Sequence, residues 1–90
     1  MFYVYVIGSL KDKELYIGST NNLKKRISEH NSGKVSSTKS RMPMKLFYYE
    51  AYLIKADARN REAQLKLRGQ ARTQLIKRLE SSIKLFRNET

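Results

Sequence analysis

The run Phe2 to Ile7, FYVYVI, places aromatic and β-branched residues at every position, so a strand built from it is apolar on both faces. A strand of that kind has to be covered from both sides. Gly8 and Ser9 end it, Leu10 to Glu14 (LKDKE) forms a polar turn of hairpin length, and Leu15 to Ile17 resumes a strand that stops at Gly18. Residues 2–18 therefore read as an antiparallel hairpin.

Leu15 to Asn31, LYIGSTNNLKKRISEHN, joins the end of that hairpin to a polar turn and a short basic helix. Strand, turn and helix start can grip phosphate through free backbone N–H groups, but with a single glycine this is neither a Walker nor a dinucleotide loop. Asn21 or Asn22 caps the helix. Leu23 and Ile27 point inward, Lys24, Lys25 and Ser28 face outward, and Gly33 supplies the left-handed stop.

From Ser32 to Met42 no period survives. Lys34, Lys39 and Arg41 sit there among serines, which reads as an exposed loop able to touch a phosphate backbone, or as a plain solvated loop. Pro43 marks the entry to a third strand, Lys45 to Leu53, in which Tyr48, Tyr49 and Tyr52 read as core or sheet-surface residues. A helix begins at Lys55 to Asp57 and puts Ala58, Glu62 and Leu65 on one face. A carboxylate beside core residues is costly unpaired, so Glu62 calls for a cation, with Arg59 and Lys66 at helical spacing. Gly69 ends or kinks this helix. Ala71 to Phe86 is predicted as one amphipathic helix with Leu75, Leu79, Ile83 and Phe86 on its apolar stripe. The order β-β-α-β-α-α predicts an α+β fold, a three-stranded antiparallel sheet flanked by helices, with residues 1–90 as a single domain.

Composition narrows the function. Nineteen Lys plus Arg against eight Asp plus Glu give a formal charge of +11, a self-repulsion that a polyanionic partner relieves. The basic residues are spread over loops and helices and form no juxtamembrane cluster, which favours nucleic acid over an anionic membrane. No cysteine is present, so disulfides and thiolate metal sites are excluded. No apolar run is long enough to span a bilayer and no signal peptide is visible, which points to a soluble, cytoplasmic protein without a membrane partner.

Two tyrosine-centred strands followed by a helix with an arginine resemble the GIY-YIG nuclease superfamily, specifically its small stand-alone members. Tyr3-Val4-Tyr5 stands where the first motif would be, with Tyr and Val in place of Gly and Ile, and Tyr16-Ile17-Gly18 matches the second. Arg26 corresponds to the family's helix arginine, His30 falls one turn later where members carry His or Tyr, and Glu62, in NREAQLK, matches the metal-binding glutamate. The asparagine that many members carry after that glutamate has no clear counterpart, since the region reads RGQARTQ with Gln70 and Gln74.

The resemblance implies divalent-metal-dependent hydrolysis of a phosphodiester. Glu62 would hold Mg2+ or Mn2+, hard ions that need only one or two carboxylates. Arg26, a planar fork that stays charged, would hold the scissile phosphate and offset transition-state charge. Tyr16 is the candidate general base or water-orienting group; a phenol, with pKa ~10, is a poor base at neutral pH unless cations lie close. Tyr5 would aim its hydroxyl at the same water or phosphate, and His30 would share the proton transfer or orient Tyr16. Gly18 would give the chain room to turn and phosphate room to approach. Duller roles exist for each: packing for the tyrosines, a solvated charge for Arg26, a helix-end dipole partner in His30, an ion pair for Glu62.

The function expected is that of a small endonuclease acting on DNA ahead of RNA, with branched or damaged structures and DNA repair in view. A homodimer or protein partner could lend it specificity. The alternative is a nucleic-acid-binding protein of the same fold with weak or no cleavage, and a protein interaction module is a distant third because the charge has no role in it.

Overall fold

The structure, a computed structural model, describes residues 1–88. Three antiparallel strands, β1 (Phe2–Ser9), β2 (Leu15–Thr20) and β3 (Met44–Tyr52), form a sheet in the order β2-β1-β3. The doubly apolar β1 is thus central, and the covering layers it requires are both present. Val4 and Val6 face helices α2 (Lys55–Lys66), α3 (Gln70–Arg78) and α4 (Glu80–Arg87), where Ile17, Ala58, Leu65, Leu75, Leu79 and Ile83 complete a core. Tyr5 and Ile7 face helix α1 (Leu23–Asn31) and pack with Met44, Leu23, Ile27 and Leu46.

Register sets what meets what. Tyr5 lies opposite Gly18 on one side and Tyr49 on the other, and Ile7 lies opposite Tyr16. β2 does not stop at Gly18: Ser19 and Thr20 continue the ladder against Val4 and Tyr3. Between Val6 and Ile7 the pairing with β3 slips by one residue, the signature of a bulge.

Asn22 caps α1, its Oδ1 accepting from the Lys25 N–H at 3.1 Å. At the other end Lys34 N–H donates to the Glu29 carbonyl at 3.1 Å across Gly33, whose φ of +77° suits glycine. The segment after it is less open than an irregular loop: Val35 and Thr38 are buried, and Lys39–Arg41 closes a short 3-10 turn.

The expected single helix over Ala71 to Phe86 is two helices. They part at Leu79 (φ −98°, ψ 13°), whose N–H is shared between the carbonyls of Leu75 at 2.9 Å and Ile76 at 3.2 Å. No glycine or proline stands at the break, and Leu75, Leu79, Ile83 and Phe86 are buried on both sides of it. Phe86 stacks on Phe47 with ring centroids 5.5 Å apart and presses the tip of its ring onto Gly8, where a Cβ would lie 2.3 Å from its Cζ. Gly69 neither ends nor kinks α2; it is the residue before α3.

Candidate active site

At the centre of the α1 side of the sheet is a buried polar chain. The Tyr5 hydroxyl is 2.7 Å from His30 Nε2, and His30 Nδ1 is 2.7 Å from Thr38 Oγ1. All three side chains are within 1% of complete burial. Desolvation drives the Tyr5 phenol up to about 12, against the pull of Arg26 beside it. With that cation on one side of the phenol oxygen, the hydroxyl proton belongs on the His30 side, so Nε2 accepts and Nδ1–H donates to Thr38. Burial first, and Arg26 second, hold His30 below its ordinary value of 6.5, so the ring is neutral.

This differs from the roles expected of both residues. The Tyr5 hydroxyl turns inward to His30 and does not face solvent, and His30 bonds to Tyr5 while touching Tyr16 only edge to face, with centroids 5.2 Å apart. A neutral, fully buried imidazole is also no helix-end cation. Tyr16 is the accessible phenol of the pair: its hydroxyl accepts from Ser37 Oγ at 3.3 Å near the surface.

Gly18 is glycine for a reason other than turn geometry. It is paired within β2, its φ is not positive, and a Cβ there would lie 2.5 Å from Tyr5 Cζ. The tyrosine ring occupies the space a side chain would need.

Arg26, on α1, keeps its charge chiefly through Tyr5 and also through Glu29, whose carboxylate is 3.3 Å away. It lines a recess of about 340 Å³ with Ser19, Lys25 and Arg59. Glu62 reaches the other side of β2 from α2. Its Oε1 accepts from Ser19 Oγ at 2.6 Å and its Oε2 pairs with Lys66 Nζ at 2.8 Å. Burial works to raise this carboxyl, but Lys66 and Ser19 outweigh it and hold it below the usual carboxylate value. Lys66 also stands over the Tyr16 ring, 5.9 Å from its centroid. Ser19 lines the Arg26 recess and donates to Glu62, while Lys66 pairs with Glu62 and stands over Tyr16, so Arg26, Glu62 and Tyr16 are linked along β2.

A divalent ion is compatible with this donor set only in one form. No group of three or more His, Cys, Asp or Glu residues capable of holding a metal occurs among the described residues. That suits a hard ion that keeps most of its waters and takes a single carboxylate, here Glu62 with the Ser19 hydroxyl adjacent, and does not suit a closed zinc site. The ion would have to displace Lys66 from Oε2.

The family model described as the GIY-YIG catalytic domain matches residues 1–80. The chain belongs to the GIY-YIG family. It is similar to UPF0213 proteins of Clostridium perfringens (46% identical, covering 73% of this chain and 71% of the relative) and Syntrophus aciditrophicus (46%, covering 83% and 88%). A third such relative, from Staphylococcus haemolyticus, is 43% identical over 71% of this chain and 78% of its own. No solved structure matches the chain. GIY-YIG domains are nuclease domains that act on nucleic acid and generally use a divalent metal, whereas the relatives' names specify neither activity nor substrate.

Within this GIY-YIG chain the basic residues expected to contact nucleic acid divide in two. Lys24, Lys25, Lys34 and Lys39 are exposed. Arg41 instead turns onto the β1–β2 turn, with Nε 2.8 Å from Asp12 Oδ2 and an Nη donating to the Glu14 carbonyl, so its charge is neutralised. Gln70 and Gln74 are exposed on α3, and no contact joins either to Glu62. Among the described residues no helix is long and apolar enough to cross a membrane.

Lys66 pairs with Glu62 at the expected helical spacing, whereas Thr38, Ser37 and Ser19 emerge only from the fold, as does a second half-buried cluster. In it Arg61 forks onto Glu50, with Nε–Oε1 at 2.9 Å, while Tyr48 and Tyr52 donate to the same carboxylate. The spacing Tyr48-x-Glu50-x-Tyr52 was the available signal, since alternate strand residues share a face.

Proposed function

We propose that this chain is a divalent-metal-dependent endonuclease hydrolysing phosphodiester bonds in DNA, acting as one domain over residues 1–90 on branched or damaged structures. The observation that carries it is the linkage of Arg26, Glu62 and Tyr16 along the edge strand β2, where Ser19 lines the Arg26 recess and donates to Glu62, and Lys66 joins Glu62 to the Tyr16 ring. Arg26 binds the scissile phosphate and offsets charge that develops on it. The Tyr16 hydroxyl, reachable from solvent, orients the attacking water or accepts its proton. Glu62 holds Mg2+ or Mn2+, which when bound supplies Lewis-acid activation of the phosphate and water. Tyr5, His30 and Thr38 form a buried, hydrogen-bonded wall against which the Tyr16 ring packs. Lys24, Lys25, Lys34 and Lys39 neutralise flanking phosphates. A cytoplasmic protein in DNA repair, working as a homodimer or with a partner, is consistent with the charge and the lack of cysteine.

The second reading, binding with weak or no cleavage, draws on the missing asparagine and on the Lys66 contact that already satisfies Glu62. The test is cleavage of Y-shaped, flap and duplex DNA, and of RNA, with Mg2+, Mn2+ or chelator. Metal-dependent cleavage lost about a hundredfold or more in Arg26→Ala and Glu62→Ala supports the enzyme. Salt-sensitive binding without cleavage selects the second reading, and cleavage surviving both substitutions overturns the site.

A further inference from the structure

A second recess adjoins the one that holds Arg26. Tyr3 and Tyr49 stand edge to face, centroids 5.9 Å apart at 69°, in a groove of about 620 Å³ between the start of α1 and β3. Half-buried Ile27 and Leu46 line its inner side, and exposed Asn21 and Lys24 its outer side. Tyr49, on the edge strand β3, is 54% exposed, so one side of its ring is open to solvent. Asn21 and Asn22 line both this groove and the recess that holds Arg26, so the two share the start of α1.

We propose that this groove takes an unpaired base of a DNA strand whose scissile phosphate lies at Arg26. The base stacks on Tyr49, the Asn21 amide bonds to its edge, and Lys24 neutralises a neighbouring phosphate. Single-stranded nucleic acid is held by this combination of exposed ring and adjacent cation. The +11 charge selects a polyanion, and an acidic peptide would satisfy Lys24 while offering Tyr49 nothing planar to stack on. Structure preference follows without a separate reading module, because a continuous duplex has no free base to give the groove. The inference rests on the DNA-nuclease reading and specifies its substrate.

The test is binding by the full chain in chelator, so that no cleavage intervenes, to Y-shaped DNA carrying 2-aminopurine at the first unpaired position. The expected result is quenched emission with the unaltered protein. In Tyr49→Ala and Tyr49→Leu the quenching is lost and Y-DNA affinity falls about tenfold or more, while continuous-duplex affinity stays within about twofold. Tyr49→Phe behaves as the unaltered protein. Retained quenching and affinity in both ring-less variants overturns the proposal, as does an equal loss on continuous duplex, or quenching seen only with the matching RNA. Absence of all DNA binding by the unaltered protein overturns the nuclease reading too, whereas DNA binding indifferent to Tyr49 overturns this inference alone.

Discussion

The Tyr5 hydroxyl and His30 Nε2 lie 2.7 Å apart in the interior, joining the central strand to α1 through a bond that water does not reach. Removing the imidazole would leave Tyr5 and Thr38 without their partner and open a cavity. His30→Ala is therefore expected to cost about 2–4 kcal/mol in urea unfolding. Thr38→Val removes one end of the chain and should cost less, about 1–2 kcal/mol.

The same histidine gives stability a pH signature. Its folded pKa lies below the unfolded value of 6.5, so the unfolded chain binds the extra proton first on acidification. The melting temperature should be flat above about pH 7 and fall as pH drops through 6.5. Glu50 and Glu62, held below the ordinary 4.5, add a second loss that begins only near that value. His30→Gln should abolish the first fall and keep the second, as a melting series in overlapping buffers would show.

At Gly18 the smallest possible side chain is already too much. Gly18→Ala would drive a Cβ against a Tyr5 ring that is buried and cannot swing away. A loss of about 2–3 kcal/mol is expected from chemical denaturation. An alanine that proved neutral here would mean that β1 and β2 adjust more freely than their pairing implies.

Lys66 competes for the carboxylate assigned to metal. In Lys66→Met, Mn2+ should bind several-fold more tightly by titration of its paramagnetic signal, because a cation 2.8 Å from Glu62 Oε2 has gone. Stability should change by less than about 1 kcal/mol, since half of the Lys66 side chain is in water. Unchanged Mn2+ affinity would argue that Glu62 is not the ligand.

Salt dependence should separate the two kinds of basic residue. Lys24→Ala or Lys25→Ala is expected to reduce the slope of log affinity for DNA against log salt by about 0.9 each. Arg41→Ala should leave the slope unchanged, because Asp12, held at about 2 chiefly by Arg41 itself, already neutralises it.

Much of the fold was legible because it rests on local chemistry. Two-faced apolarity placed β1 between layers, and Asn22 and Gly33 bounded α1 within a residue or two. The break at Leu79 was not legible, since no glycine or proline in residues 71–86 marks it. For the site, motif spacing singles out Tyr16, Arg26 and Glu62 as candidates, which the cleavage assay tests. The inward turn of Tyr5 was not legible, because it depends on Thr38 arriving from a loop that has no periodic pattern. The ion pair of Arg41 is illegible for a similar cause: its partner Asp12 is 29 positions away in the chain.

Phe86 lying over Gly8 has a consequence for how the molecule is made. The central strand is made before the other elements of the domain, yet its covering on that side is completed by a side chain 78 positions later. β1 and β2 can pair as soon as they emerge, but the layer over them cannot close until residue 86 has been added. Folding of this domain on the ribosome should therefore wait for nearly the whole of it, leaving a nascent chain with an apolar ribbon open on one face for chaperones to meet.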